Sequence, residues 1–129
     1  MATVSSGILS SANFVDLKPI DSSELREDVY RLLVPGEEIL SAFKTIRDQV
    51  VFTTKRVVVV NVQGIVGKKI AYCSYPYSKV QYYAIETAGV LDIDSELILA
   101  FSDGNRLQFD FRASVDIRKL NAAISAAIL

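Results

Sequence analysis

The sequence predicts a mainly β domain: a strongly bent antiparallel sheet of seven strands whose open end is plugged by a C-terminal helix. Three observations carry this reading. Residues 42–77 hold the densest run of β-branched and aromatic residues in the chain, including Val57-Val58-Val59-Val60. Leu97, Leu99 and Phe101, then Leu107, Phe109 and Phe111, recur at every second position about an Asp103-Gly104-Asn105 turn, the pattern of a hairpin with one wet face. From about residue 115 the period lengthens, and Ile117, Leu120, Ile124 and Ile128 form a helical apolar stripe.

Each element has a local reason. Residues 1–20 are small, polar and sparsely charged, which suits an N-terminal arm. Asp21 followed by Glu24 resembles a capping box, and Leu25, Val29, Leu32 and Leu33 then share a helix face, predicting a short helix over about 22–33 that Pro35-Gly36 stops. Strands are expected within about 38–111. The first two, 39–46 and 49–53, join at Arg47-Asp48, and 57–62 follows the Thr54-Lys55-Arg56 turn. Gly64 and Gly67 bracket the next loop, 69–75 ends at Pro76, and 80–87 precedes the break at Ala88-Gly89. The last helix runs over about 115–129, with Ser114 as its expected cap.

A chain of 129 residues suits one such domain, here 21–129 behind the arm. Half the residues are hydrophobic and mean hydropathy is +0.29, yet no run approaches the roughly 18 apolar residues of a spanning helix. The first 20 residues have no basic stretch before an apolar one, and Ala2 stands where N-myristoylation needs glycine, so a cytoplasmic location is expected. The single cysteine, Cys73, lies in an apolar strand pattern, as a buried thiol would.

The charges are uneven. Residues 42–79 carry seven Lys or Arg against Asp48 alone, a net +6, leaving −7 on the remainder. In a meander, the first and third turns share one end of the sheet, which brings Arg47 towards Lys68 and Lys69 and puts Lys55 and Arg56 at the other end. Arg47, Lys68 and Lys69 are therefore the candidate anion site, and a solvated rim is the competing reading. A pI of 5.4 and the lack of a basic stripe interleaved with aromatics argue against nucleic acid.

Catalysis has little material. The chain has no histidine, which removes the usual general base near neutral pH and the commonest transition-metal ligand. Asp92-x-Asp94-x-Glu96 has the spacing of a calcium loop's first ligands, but Leu97 stands where that loop needs glycine. No cofactor, metal or catalytic residue is expected.

The valine run 57–60 points to both faces, so both faces of the sheet must be covered. The N-terminal helix can do this, and so can a neighbouring subunit; the apolar excess favours the subunit. The oligomer-interface candidates are thus Val58, Val60 and Tyr82, with Ile8 and Leu9 of the arm.

Taken together, Pro35-Gly36-Glu37, the run from Phe43 through Asp48, the run from Val51 through Arg56, Gly67-Lys68-Lys69, Pro76-Tyr77 and the run from Glu86 through Gly89 carry a resemblance. So do the Gly-Ile-Leu arm with Asn13, and Gln63-Gly64. In this order and spacing the chain resembles the bacterial pleckstrin-homology-like domain family, almost end to end. The resemblance implies a pleckstrin-homology-like barrel with a C-terminal helix and no enzyme activity. It also implies a module that assembles into symmetric homo-oligomers or binds other proteins. Lys44-Thr45-Ile46-Arg47-Asp48 departs from the basic triplet of the superfold's lipid binders, and the tryptophan usual in their last helix is absent, its space open to Leu120. Head-group binding at the first and third hairpin loops is the alternative role, with contact to a membrane surface left open.

Overall fold

The computed structural model describes residues 11–64, 66, 69–87, 95–112 and 115–129. Eight strands form one curled sheet: β1 (Ala12–Pro19), β2 (Ile39–Lys44), β3 (Gln49–Thr53), β4 (Arg56–Gln63), β5 (Lys69–Pro76), β6 (Val80–Thr87), β7 (Ser95–Phe101) and β8 (Arg106–Phe111). Their order is β5-β4-β3-β2-β1-β8-β7-β6. Two helices join them, α1 (Glu27–Leu32) and α2 (Ile117–Ile128). The bent sheet and C-terminal helix are as expected, and the extra strand comes from the segment expected to be an arm.

β1 does not read as a strand because its alternation is broken. It pairs in parallel with β8 from Ala12↔Leu107 to Phe14↔Phe109, then resumes at Leu17↔Phe111, so one residue is inserted. Asp16 absorbs that bulge with φ of 54°, a left-handed conformation that aspartate tolerates better than most residues. Phe14 stacks on Phe109 with ring centroids 5.3 Å apart, and Leu17 is fully buried, so two residues three apart both serve the core.

The inner face closes around Phe43, Phe52, Phe109 and Phe111, with Leu120 and Ile124 of α2 packed into the same cluster. Phe52 meets Phe109 at 5.1 Å and Phe43 meets Phe111 at 4.9 Å, within the range of favourable aromatic pairs. Tyr83 Oη lies 2.7 Å from Asn121 Oδ1 and 2.6 Å from Ser125 Oγ, which fixes α2 to β6. The helix starts at Ile117 with Asp116 as its cap, accepting from the Lys119 N–H; the expected cap, Ser114, lies outside the described residues.

The outer face is covered by the chain itself. Leu25 and Val29 pack on Ala42, Val51, Val58 and Val60, and Val58 and Val60 are fully buried. The expected helix over 22–33 is divided, because Leu25 is extended between a 3-10 turn at Ser22–Glu24 and α1. Gln49 supplies what the missing helical turn would have bonded: its Nε2 donates to the Glu24 carbonyl, and its Oε1 accepts from Arg26 N–H, both at 3.0 Å. Val58 and Val60 are thus lining under this segment. Their expected place at a subunit interface is corrected, because intramolecular packing leaves them no surface.

One clamp ties the N-terminal segment to three strands. Val34-Pro35-Gly36-Glu37 is a turn closed by Glu37 N–H to Val34 O at 3.0 Å, with φ of 85° at Gly36, a position that favours glycine. It delivers Glu37 into the protein, its side chain fully buried. Arg56 Nε and Nη2 donate to its two oxygens at 2.9 and 2.8 Å, and Thr53 Oγ1 donates at 2.6 Å. Arg56 also donates to the Leu32 carbonyl and, at 3.1 Å, to Ser74 Oγ, while Tyr77 Oη donates to the Thr53 carbonyl at 2.8 Å. Burial opposes ionisation of Glu37, but these hydrogen bonds and the Arg56 charge outweigh it and hold the carboxyl at about 2 against an ordinary 4.5.

Two predictions follow from this packing. Val58→Asp places a charge among apolar side chains and is expected to cost at least about 3 kcal/mol in urea unfolding, whereas Tyr82→Asp on the exposed side of β6 stays within about 0.5 kcal/mol. Because the folded carboxyl of Glu37 titrates below its unfolded value, its contribution is present above pH 4.5 and is lost as pH falls towards 2. About 3 kcal/mol is at stake. Urea midpoints should fall across that window in the wild type, with a shallower fall from a lower starting value in Glu37→Gln.

Candidate functional site

The candidate site is the mouth of the curled sheet, at the end where the β2–β3 turn meets the β4–β5 loop. Thr45–Asp48 is a self-contained turn: Thr45 N–H reaches Asp48 O at 2.9 Å and Asp48 N–H reaches Thr45 Oγ1 at 3.1 Å. The Asp48 carboxylate then accepts from Val62 N–H at 2.9 Å and from Asn61 Nδ2 at 3.2 Å, locking the turn to β4. Arg47 crosses to the Gly64 carbonyl. Ile46, at the tip, is fully exposed, and so largely is Val66 on the neighbouring loop.

Arg47 thus lies beside the β4–β5 loop, donating to the Gly64 carbonyl. Lys69 opens β5, exposed and opposite Gln63, while Lys68 lies outside the described residues. At the opposite end, Arg56 is consumed by the Glu37 clamp. Tyr82 stands on β6 with 56% of its surface exposed, and Ile8 and Leu9 lie outside the described residues.

Between β1 and the β4–β5 hairpin the mouth opens into a groove of about 1000 Å³. Its floor is Phe14, Val59, Asn61, Cys73 and Tyr75, and its rim carries Lys18, Lys44 and Arg47. Burial pushes the Cys73 thiol up, away from the thiolate. Burial and then Cys73 push the Tyr75 hydroxyl up to about 12. Both groups are neutral at pH 7, so the floor presents no charge. The rim is only weakly positive. Asp16 and Asp48 also line it, Asp16 at 3.1 Å from Arg112, and Lys44 is 3.6 Å from Glu24.

Lys18, Lys44 and the floor residues escaped the reading of the sequence because the groove has β1 as one wall, and a bulged strand carries no alternation to find. Among the described residues no cluster of His, Cys, Asp or Glu is arranged to hold a metal. Asp92 and Asp94 of the calcium-like spacing lie outside them. No helix among the described residues is long and apolar enough to cross a membrane.

Comparison with known proteins agrees with this geometry. Residues 8–128 match the family model described as Bacterial PH domain. The uncharacterized protein YjqA of Bacillus subtilis (strain 168) is 37% identical over 123 residues, covering 92% of this chain and 94% of that protein. A duf1696 family protein with a pleckstrin-homology domain from Shewanella loihica PV-4 superposes with a TM-score of 0.70 at 30% identity, covering 89% of this chain and 99% of that one. The pleckstrin homology domain from Shewanella amazonensis SB2B gives a TM-score of 0.56 at 33% identity, covering 85% and 90%. In sequence span and in fold, this chain belongs to the bacterial PH domain family.

Proposed function

We propose that the chain is a non-catalytic module that works by binding protein, first of all further copies of itself, as a homo-oligomeric scaffold. The observation that carries this reading is the state of the sheet's two ends. β5 and β6, eight residues each, are its outermost strands; among the described residues β5 pairs only with β4 and β6 only with β7. Unpaired strand edges are ready templates for another chain. Because the two edges differ, contact of one with the other between copies is heterologous, which closes into a ring or runs on as a filament. Tyr82 on β6 offers a large exposed aromatic at such an edge, the residue type that anchors interfaces. The lack of histidine in the chain and the neutral groove floor support a non-catalytic reading.

A second reading rests on the mouth itself. Ile46 and Val66 project from adjacent tips, with Lys44, Arg47 and Lys69 beside them, an apolar point with cationic flanks that fits an anionic membrane surface.

Light scattering tests the first reading. A mass above the 14.2 kDa of one chain at micromolar concentration is expected, with Tyr82→Lys shifting it towards 14.2 kDa while the circular dichroism spectrum is kept; a wild-type monomer ends the scaffold reading. Sedimentation with phosphatidylserine vesicles tests the second. Pelleting that declines with salt and is lost in Ile46→Ser with Arg47→Ala supports it, and indifference to vesicles removes it.

A further inference from the structure

We infer that the mouth of the sheet receives an extended segment of another protein, which pairs with the free edge of β1 and alternates apolar with acidic residues. This rests on the protein-binding reading above but not on self-association.

The groove exists because its strands are unequal. β2 and β3 lie between β1 and β4 and are joined by the turn at Thr45–Asp48, whereas β1 starts back at Ala12 and β4 runs on to Gln63. Past that turn the two middle strands are gone. At ordinary strand spacing β1 and β4 stand about 14 Å apart there, which leaves room for a further strand with its side chains.

The backbone that would hold it belongs to β1. Residues 12–14 pair with β8, residues 15 and 16 form the bulge, and among the described residues no strand lies on the edge of 12–16 that faces the groove. Neighbouring residues of a strand turn N–H and C=O to opposite edges, so β8 answers only part of this stretch. An open strand edge is a template for another extended chain. On the far wall the demand is already met, since the Asp48 carboxylate accepts the Val62 N–H at 2.9 Å.

Side chains set the chemistry of the occupant. An added strand points every second side chain inward, onto Phe14, Val59, Cys73 and Tyr75, a floor without charge that suits apolar groups. The others point outward, beside Lys18, Lys44 and Arg47. Lys18 and Lys44 stand directly opposite one another in the β1–β2 register, and like charges so placed are destabilising. Glu24 lies 3.6 Å from Lys44, but Lys18 has no ion pair among the described residues. The acids that line the groove are engaged elsewhere, Asp16 with Arg112 at 3.1 Å and Asp48 with Val62 and Asn61. Outward acidic residues on the incoming strand answer the two lysines.

The described strands of this chain do not offer such a segment. β5 and β6, the outermost strands, hold one acidic residue between them, Glu86. β7 and β8 do alternate apolar with polar or acidic residues, but each is paired on both edges. The occupant is therefore a different protein.

The probe is a short fluorescein-labelled peptide of alternating leucine and glutamate, titrated with the full chain and read by anisotropy. Saturable binding is expected. Lys18→Glu with Lys44→Glu should weaken it about tenfold or more, and should bind a leucine–lysine peptide of equal length better than the wild type does, an exchange that damage to the fold does not produce. Two further probes carry N-methyl groups on the leucine amides or on the glutamate amides, which keeps charge and apolarity but removes one edge's donors. At least one of them should lose binding. The inference is overturned if the parent peptide does not bind, if charge reversal leaves its affinity unchanged, or if both N-methylated forms bind as it does. Phosphatidylserine vesicles that pellet the wild type but not the charge-reversed variant, with no peptide bound, give the mouth to a membrane surface instead. Peptide binding by a wild type that runs at 14.2 kDa supports the inference while ending the scaffold reading.

Discussion

The ion pair of Glu37 with Arg56 is the constraint on which the rest of the structure depends. A fully buried carboxylate is tolerated only when its charge and lone pairs are all answered, and here two guanidinium donors, the Thr53 hydroxyl and the Val34 N–H answer them. The four donors come from three places in the chain, Val34, Thr53 and Arg56. The pair thereby fixes the end of β3, the start of β4, the turn after α1 and, through Ser74, the neighbouring β5. Removing one partner strands the other in a dry site, so the clamp holds position more firmly than its net contribution to stability would imply.

With that end anchored, the N-terminal segment is committed to two tasks. Leu25 and Val29 cover the outer face of β2, β3 and β4, while β1 bridges β2 and β8 and so joins the two halves of the sheet. The same segment creates the groove. β1 is longer than the stretch of β2 available to it, and the surplus, past the Asp16 bulge, becomes one wall of the mouth. A site of this kind arises from unequal strand lengths, and no side chain in it is unusual by itself.

Charge follows the same division. The basic central stretch is split between a structural end, where Arg56 is spent on Glu37, and an open end, where Arg47 and Lys44 remain near the surface. The acidic surplus gathers across β6, β7 and β8, where three carboxylates share one face. The two edge strands, a weakly positive mouth and an acidic far side all differ from one another, so the self-association proposed above would be heterologous rather than self-complementary.

The motifs that marked the family in the sequence, Pro35-Gly36-Glu37, Thr53-Thr54-Lys55-Arg56 and Pro76-Tyr77, converge on the clamp and are concerned with folding. What they carried was the fold: strand positions, turn glycines and the stripe of α2 are local properties, set by backbone preference and by alternation along a few residues. The cover over Val58 and Val60 was not legible, since a valine run reports only that both faces are buried and is silent on what buries them. The division of the 22–33 helix depended on Gln49, 23 residues from Arg26, and β1 concealed itself behind a bulge that breaks the period of two. Composition and periodicity by themselves determined that this chain forms a bent sheet plugged by a helix. Only tertiary structure decided which cations are spent internally, which valines are lining and where the sheet stays open, because these depend on distances between residues far apart in sequence.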